Sequence, residues 1–185
     1  MEIKEKRILR GIVTLILVFG MLLNSTCTQA RDREGIMEPT GCKSFSDMKK
    51  EYKKQVKAGE YGVFLPNRVS YANGKLKTKF GTKKALFLMS GSSSCADISA
   101  YIKNGDKIYY AYGFDGHPGF MISKDSKYVV DSLSGGEVTL YKYSTGSYKE
   151  VKYYSGDKKK QLKIWKKKYK MYEPKFKVYA SWSDL

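Results

Sequence analysis

Few side chains in this sequence are of the types that make and break bonds. There are three cysteines, Cys27, Cys42 and Cys95, and one histidine, His117. A thiolate nucleophile needs an imidazole at hand to take its proton and a carboxylate to orient that imidazole. Cys95, His117 and Asp131 are the residues that could supply such a set. Plainer readings stand beside it: His117 sits in Asp115-Gly-His-Pro-Gly119, a turn composition, and Asp131 ends an apolar run where a carboxylate can cap a strand. One histidine without clustered cysteines or carboxylates leaves no ligand set for a metal, and no cofactor is implied.

The N-terminus decides which cysteines belong to the working protein. A basic start (Lys4, Lys6, Arg7, Arg10), an apolar run from Gly11 to Leu23 and a small polar stretch ending at Ala30 have the order of a secretory signal, with cleavage after Thr28-Gln-Ala30 and a cut after Cys27 as the second choice. The apolar run falls short of the roughly 20 residues that span a bilayer as a helix. Cys27 offers lipidation as an alternative, although Asn24 and Thr26 stand where a lipobox has Leu and Gly or Ala. After cleavage Cys42 and Cys95 remain, and such a pair in an exported chain reads first as a disulfide. Closing a loop of about fifty residues would stabilise the fold by roughly 4 kcal/mol; a reducing niche would leave both thiols free.

The elements that must position these groups follow from periodicity. Residues 31–43 read as a leader without regular structure, and 44–185 as one β-rich domain. Phe45, Met48, Tyr52 and Val56 recur at intervals of three and four behind Ser44 as cap, which predicts an amphipathic helix over 44–58. Short β-rich runs separated by turn residues then predict an antiparallel meander over 61–154, with hairpin turns at Asn73-Gly74 and Asn104-Gly105. The helical period returns over 158–172, where Leu162, Trp165, Tyr169 and Tyr172 share a face and Asp157 caps; a short strand over 176–179 closes the chain. The expected class is α+β or mainly β, an antiparallel β-meander of about five to eight strands flanked by two amphipathic helices.

Two resemblances attach to these elements. His117-Pro-Gly-Phe-Met-Ile122, followed by Lys127-Tyr-Val-Val-Asp131, resembles the His-strand-Asp arrangement of transglutaminase-like cysteine proteases and acyltransferases. That likeness implies Cys95 as nucleophile, His117 as base and Asp131 as orienter. In that family the cysteine begins a helix, whereas Ala96 to Ile102 alternates like a strand. The wider order of exported N-terminus, Lys-rich helix, Lys- and Tyr-rich meander and terminal Lys-Tyr helix resembles uncharacterised secreted proteins of Gram-positive anaerobes, a likeness that implies no activity. The Asp-rich calcium-type segment of many such proteins has no counterpart in residues 61–90.

Charge and tyrosine supply the remaining signal. Thirty-five Lys and Arg against 18 Asp and Glu give a net charge of +17. Such a balance favours anionic cell-wall polymers, acidic polysaccharides or an anionic membrane surface, or simply keeps a secreted protein soluble. No specific nucleic acid is predicted, and the chain carries no signal for an oligomeric state. Of sixteen tyrosines, Tyr109, Tyr110, Tyr112, Tyr153 and Tyr154 lie in predicted strands where a ring beside lysines could stack on a ligand, although β-propensity alone accounts for them. Lys166, Lys167 and Lys168 are the matching candidates on the second helix, which either packs on the sheet or lies on a membrane. The preferred expectation is a non-enzymatic, exported, basic envelope or extracellular protein; the alternative is a cysteine-dependent hydrolase or acyltransferase.

Overall fold

The computed structural model describes residues 35–58, 68–91, 96–115, 119–132 and 136–181. The expected signal peptide, with Cys27, lies outside them, as do Cys95 and His117. The elements in chain order are β1 (Glu38–Pro39), α1 (Phe45–Lys57), β2 (Arg68–Thr78), β3 (Gly81–Gly91), β4 (Ala96–Asn104), β5 (Lys107–Asp115), β6 (Met121–Ser123), β7 (Tyr128–Ser132), β8 (Glu137–Ser144), β9 (Ser147–Ser155), α2 (Lys158–Lys168), β10 (Met171–Tyr172) and β11 (Lys177–Ser181). The chain is thus mostly antiparallel β with two helices, within the expected class.

The meander is divided in two. Strands β2 to β5 follow one another in a six-stranded sheet of order β1-β5-β4-β3-β2-β11, and β6 to β9 do so in a five-stranded sheet of order β10-β6-β7-β8-β9. Side chains from both sheets share one cluster: Phe87, Ile102 and Tyr112 of the first meet Ile122, Val129, Tyr141 and Tyr148 of the second. The opposite face of the first sheet packs Leu86, Leu88 and Tyr101 against Met48, Tyr52 and Val56 of α1. The opposite face of the second sheet packs Met121, Val130, Val138 and Leu140 around Trp165 of α2. The layers therefore run α1, six-stranded sheet, five-stranded sheet, α2. The middle of each sheet is covered on both faces, which is why Ala85-Leu-Phe-Leu88 is a continuous apolar run and not an alternating one.

Helix α1 forms as its period predicts. The Ser44 hydroxyl accepts the Asp47 N–H at 3.1 Å, and Met48, Tyr52 and Val56, one turn apart, are all buried. The fully buried Tyr52 donates from its hydroxyl to Ser90 Oγ at 2.9 Å, tying the helix to β3 as well as packing on it.

Several expectations are corrected. Asn73 and Gly74 lie inside β2, opposite Leu86 and Ala85, and the β2–β3 turn falls at Lys79-Phe80. Glycine at 74 answers close packing: a Cβ there would stand 2.7 Å from the Phe87 ring and 3.1 Å from the Tyr172 hydroxyl. The Asn104-Gly105 hairpin does form, with Asn104 paired to Lys107 and Gly105 at φ 64°. The leader is partly structured: Ile36 N–H donates to Ala111 O at 3.1 Å and Thr40 N–H to Ile108 O at 2.9 Å, pinning Glu38–Pro39 along the edge of β5. The second helix ends at Lys168, a left-handed Lys170 (φ 50°) turns the chain, and Tyr172 belongs to β10. The terminal strand is Lys177–Ser181.

Candidate binding surface

Asp131 is 1 % exposed in β7, opposite Thr139, and its carboxylate accepts the Asp115 N–H at 3.5 Å. The chain directly after Cys95 is strand β4, so the helix of the transglutaminase-like arrangement is absent at that position. Cys95 and His117 themselves are outside the described residues. Cys42 carries a free thiol and is half-buried at the margin of the α1 cluster. Among the described residues no group of three or more His, Cys, Asp or Glu side chains could hold a metal ion, and no helix is long and apolar enough to cross a membrane.

The five candidate tyrosines separate sharply. Tyr112 is fully buried, so its place as a ligand-stacking residue is overturned. A bulge at Ala111 is the reason: it shifts β5 so that Tyr110 opposes Tyr101 while Tyr112 opposes Ala100, and Tyr112 turns into the space between the sheets. Its hydroxyl donates to Lys77 O at 3.0 Å and lies 3.3 Å from Gly146 O. Tyr148 stands edge-on to it at 5.0 Å, donates to Ser126 O at 2.7 Å and accepts Lys77 N–H at 3.2 Å. Burial pushes both phenols well above the usual tyrosine range. Tyr109 packs on Phe80 at 5.5 Å. Tyr110 packs on Tyr101 at 5.6 Å and lines an open cleft of ≈ 330 Å³ with Glu38 and Glu51, whose carboxylates disfavour an anion there. Tyr154 is half-buried in the Trp165 cluster. Tyr153 alone presents an exposed ring; a hydrogen bond with Glu137 raises its phenol above the ordinary value.

Helix α2 is built to display charge. Trp165 is its only buried residue, with half-buried Leu162 beside it, and just beyond its end Tyr169 stacks on Tyr128 at 4.5 Å. The helix thus uses its apolar face on the sheet. Lys159, Lys163 and Lys167, each one turn from the next, face solvent on the opposite side with Lys160 between them. Of the three lysines expected to act, Lys166 donates to Glu173 Oε1 at 2.9 Å, Lys168 lies 5.6 Å from the Tyr169 ring centroid, and Lys167 is exposed.

A second basic group was not readable from spacing. Lys75 of β2 lies directly opposite Lys84 of β3. One residue beyond the Ala85–Ile102 pair, Lys103 of β4 continues the same row toward its partner Ile108. The three belong to the α1 face of the six-stranded sheet, with Leu86, Tyr101 and Ile108, and all are exposed. Neither ion pair seen at the surface, Lys54–Glu51 or Lys166–Glu173, involves Lys75, Lys84 or Lys103, and no carboxylate among the described residues pairs with this row. Set against known proteins, the chain is matched by no family model, no curated protein and no solved structure.

Proposed function

We propose that this is an exported, basic, non-enzymatic protein of the cell envelope or extracellular space that binds an anionic polymer through the lysine face of α2. One observation carries the reading. The helix packs Trp165 and Leu162 on the sheet, leaves Ile164 exposed, and turns Lys159, Lys160, Lys163 and Lys167 outward. The Asp157 carboxylate caps the N-terminus by accepting the Lys160 N–H at 3.0 Å, but lysines at i and i+4 repel, so the lysine face weakens the helix unless a further anion meets it. With Ile164 the one large apolar side chain that α2 leaves exposed, contact with an anionic membrane would rest mainly on charge.

Retention on a heparin column at low salt, with elution moving to lower salt in the Lys159→Gln/Lys163→Gln/Lys167→Gln variant, is the expected result. A wild-type protein that passes through unretained overturns the reading. Export is tested by the intact mass of the protein from its host medium, expected to begin just after Ala30; a lipid mass on Cys27 would move it to the membrane surface.

The alternative, a cysteine-dependent hydrolase or acyltransferase, is favoured by one observation. Asp97, two residues after Cys95, pairs with Asp115, two residues before His117, and the Asp115 N–H meets the Asp131 carboxylate. Rapid labelling by a thiol-directed probe at neutral pH, lost in Cys95→Ala, would bring this reading forward. Labelling that survives Cys95→Ala removes it.

A further inference from the structure

Resting on that polymer-binding reading, we infer that the protein carries a second anion-binding face, the row Lys75, Lys84 and Lys103, and so bridges two segments of polymer. The two faces are back to back. The row lies on the α1 side of the six-stranded sheet, whereas α2 lies on the far side of the five-stranded sheet, with the whole inter-sheet core between them.

The row has no structural account of its own. Lysines are common on edge strands, where they discourage pairing with another chain. Lys149 and Lys152 on β9, the free edge of the five-stranded sheet, fit that role. Strands β3 and β4 are internal, so edge protection does not explain Lys84 and Lys103. Neighbouring strands lie about 4.8 Å apart, which sets three ammonium stems within roughly 10 Å of one another. Like charges directly opposite in a sheet are destabilising, and lysine is a poor strand former. Asp106, in the turn that follows β4, is ion-paired with none of them. A row of repelling cations on a sheet interior matches a line of anions laid across the strands. Two such faces pointing in opposite directions cannot both rest on one flat membrane, and that favours a flexible linear polymer as the occupant.

The test is light scattering of the full chain mixed with long-chain inorganic polyphosphate at low salt, over a range of ratios, with binding followed separately by retention on an anionic column. Wild type is expected to scatter strongly near charge equivalence and to clear when polymer is in excess. Lys75→Gln/Lys84→Gln/Lys103→Gln should keep at least half of the column retention, lose most of the scattering, and unfold roughly 1–4 °C higher because the repulsion is gone. A matched variant, Lys43→Gln/Lys50→Gln/Lys57→Gln, should scatter as wild type does. Binding without scattering in the wild type overturns the bridge and leaves the first face standing; absence of binding overturns both. Equal loss of scattering in the matched variant would show that charge number alone matters, and would also overturn the row. Should the triple row variant fail to fold, Lys84→Gln alone, with the same two readouts, decides the question.

Discussion

The two helices cover equivalent faces of the two sheets and are built in opposite ways. Helix α1 buries Met48, Tyr52 and Val56, carries Asp47 in its first turn and Lys54 and Lys57 in its last, and is bonded to β3 through Tyr52. Its charges agree with its dipole. Helix α2 buries only Trp165, has the cap Asp157 as its N-terminal acid with none in the first turn, and presents lysine throughout. The first is a packing element whose surface is incidental. The second is a charged surface held by Trp165 with half-buried Leu162 and Tyr169 beside it, and on the proposed reading the contrast separates residues kept for the fold from residues kept for a partner.

The largest test of that contrast is Trp165→Ala, which should cost about 3–5 kcal/mol and strip hydrogen-exchange protection from α2 before the sheets open. Loss of protection at α1 and α2 together would break the distinction. Between the sheets, Tyr148→Phe should cost about 1–3 kcal/mol, because the buried Ser126 carbonyl and Lys77 N–H lose their partner. The same phenols set an alkaline limit. Their folded-state ionisation lies above the unfolded value near 10, so their contribution is complete below about pH 10 and is lost as pH rises beyond it. Ultraviolet titration should show Tyr112 and Tyr148 ionising only with unfolding, and ionisation at an ordinary pH in the intact fold would contradict their burial. Tyr52→Phe should cost about 0.5–1.5 kcal/mol in denaturant unfolding and leave polymer retention unchanged. The smallest effect has the opposite sign. Lys159→Glu should stabilise the protein by about 0.3–1 kcal/mol, by meeting the helix N-terminus and pairing with Lys163, while weakening heparin retention.

Much of this was legible in the residues, and the failures have physical causes. Helix α1 announces itself because one face is wet, so its period and its Ser44 cap are both visible. The division into two sheets is hidden because the central parts of both sheets are covered on both faces, which erases the alternation that reports a strand's orientation there. Asn73-Gly74 has the composition of a turn, yet its glycine answers the Phe87 ring, a contact set by β3 and not by neighbours in the chain. A single bulge at Ala111 sent Tyr112 inward against simple alternation. The lysines of α2 could be found from spacing, whereas the row of Lys75, Lys84 and Lys103 exists only through the register of three strands.

The pairing of β1 with β5 and of β11 with β2 bears on how the chain reaches its folded state. Both borders of the six-stranded sheet are supplied from the far ends of the described chain, so four consecutive strands can assemble while each border still shows unbonded amides and carbonyls. A nascent or trimmed chain lacking Lys177–Ser181 would present Arg68–Tyr71 as a sticky rim, open to pairing with any extended peptide. Pairing with Lys177–Ser181 covers the Arg68–Tyr71 edge and moves the border of the sheet to a shorter strand, so a chain clipped before Lys177 should capture extended peptides more readily than the uncut one.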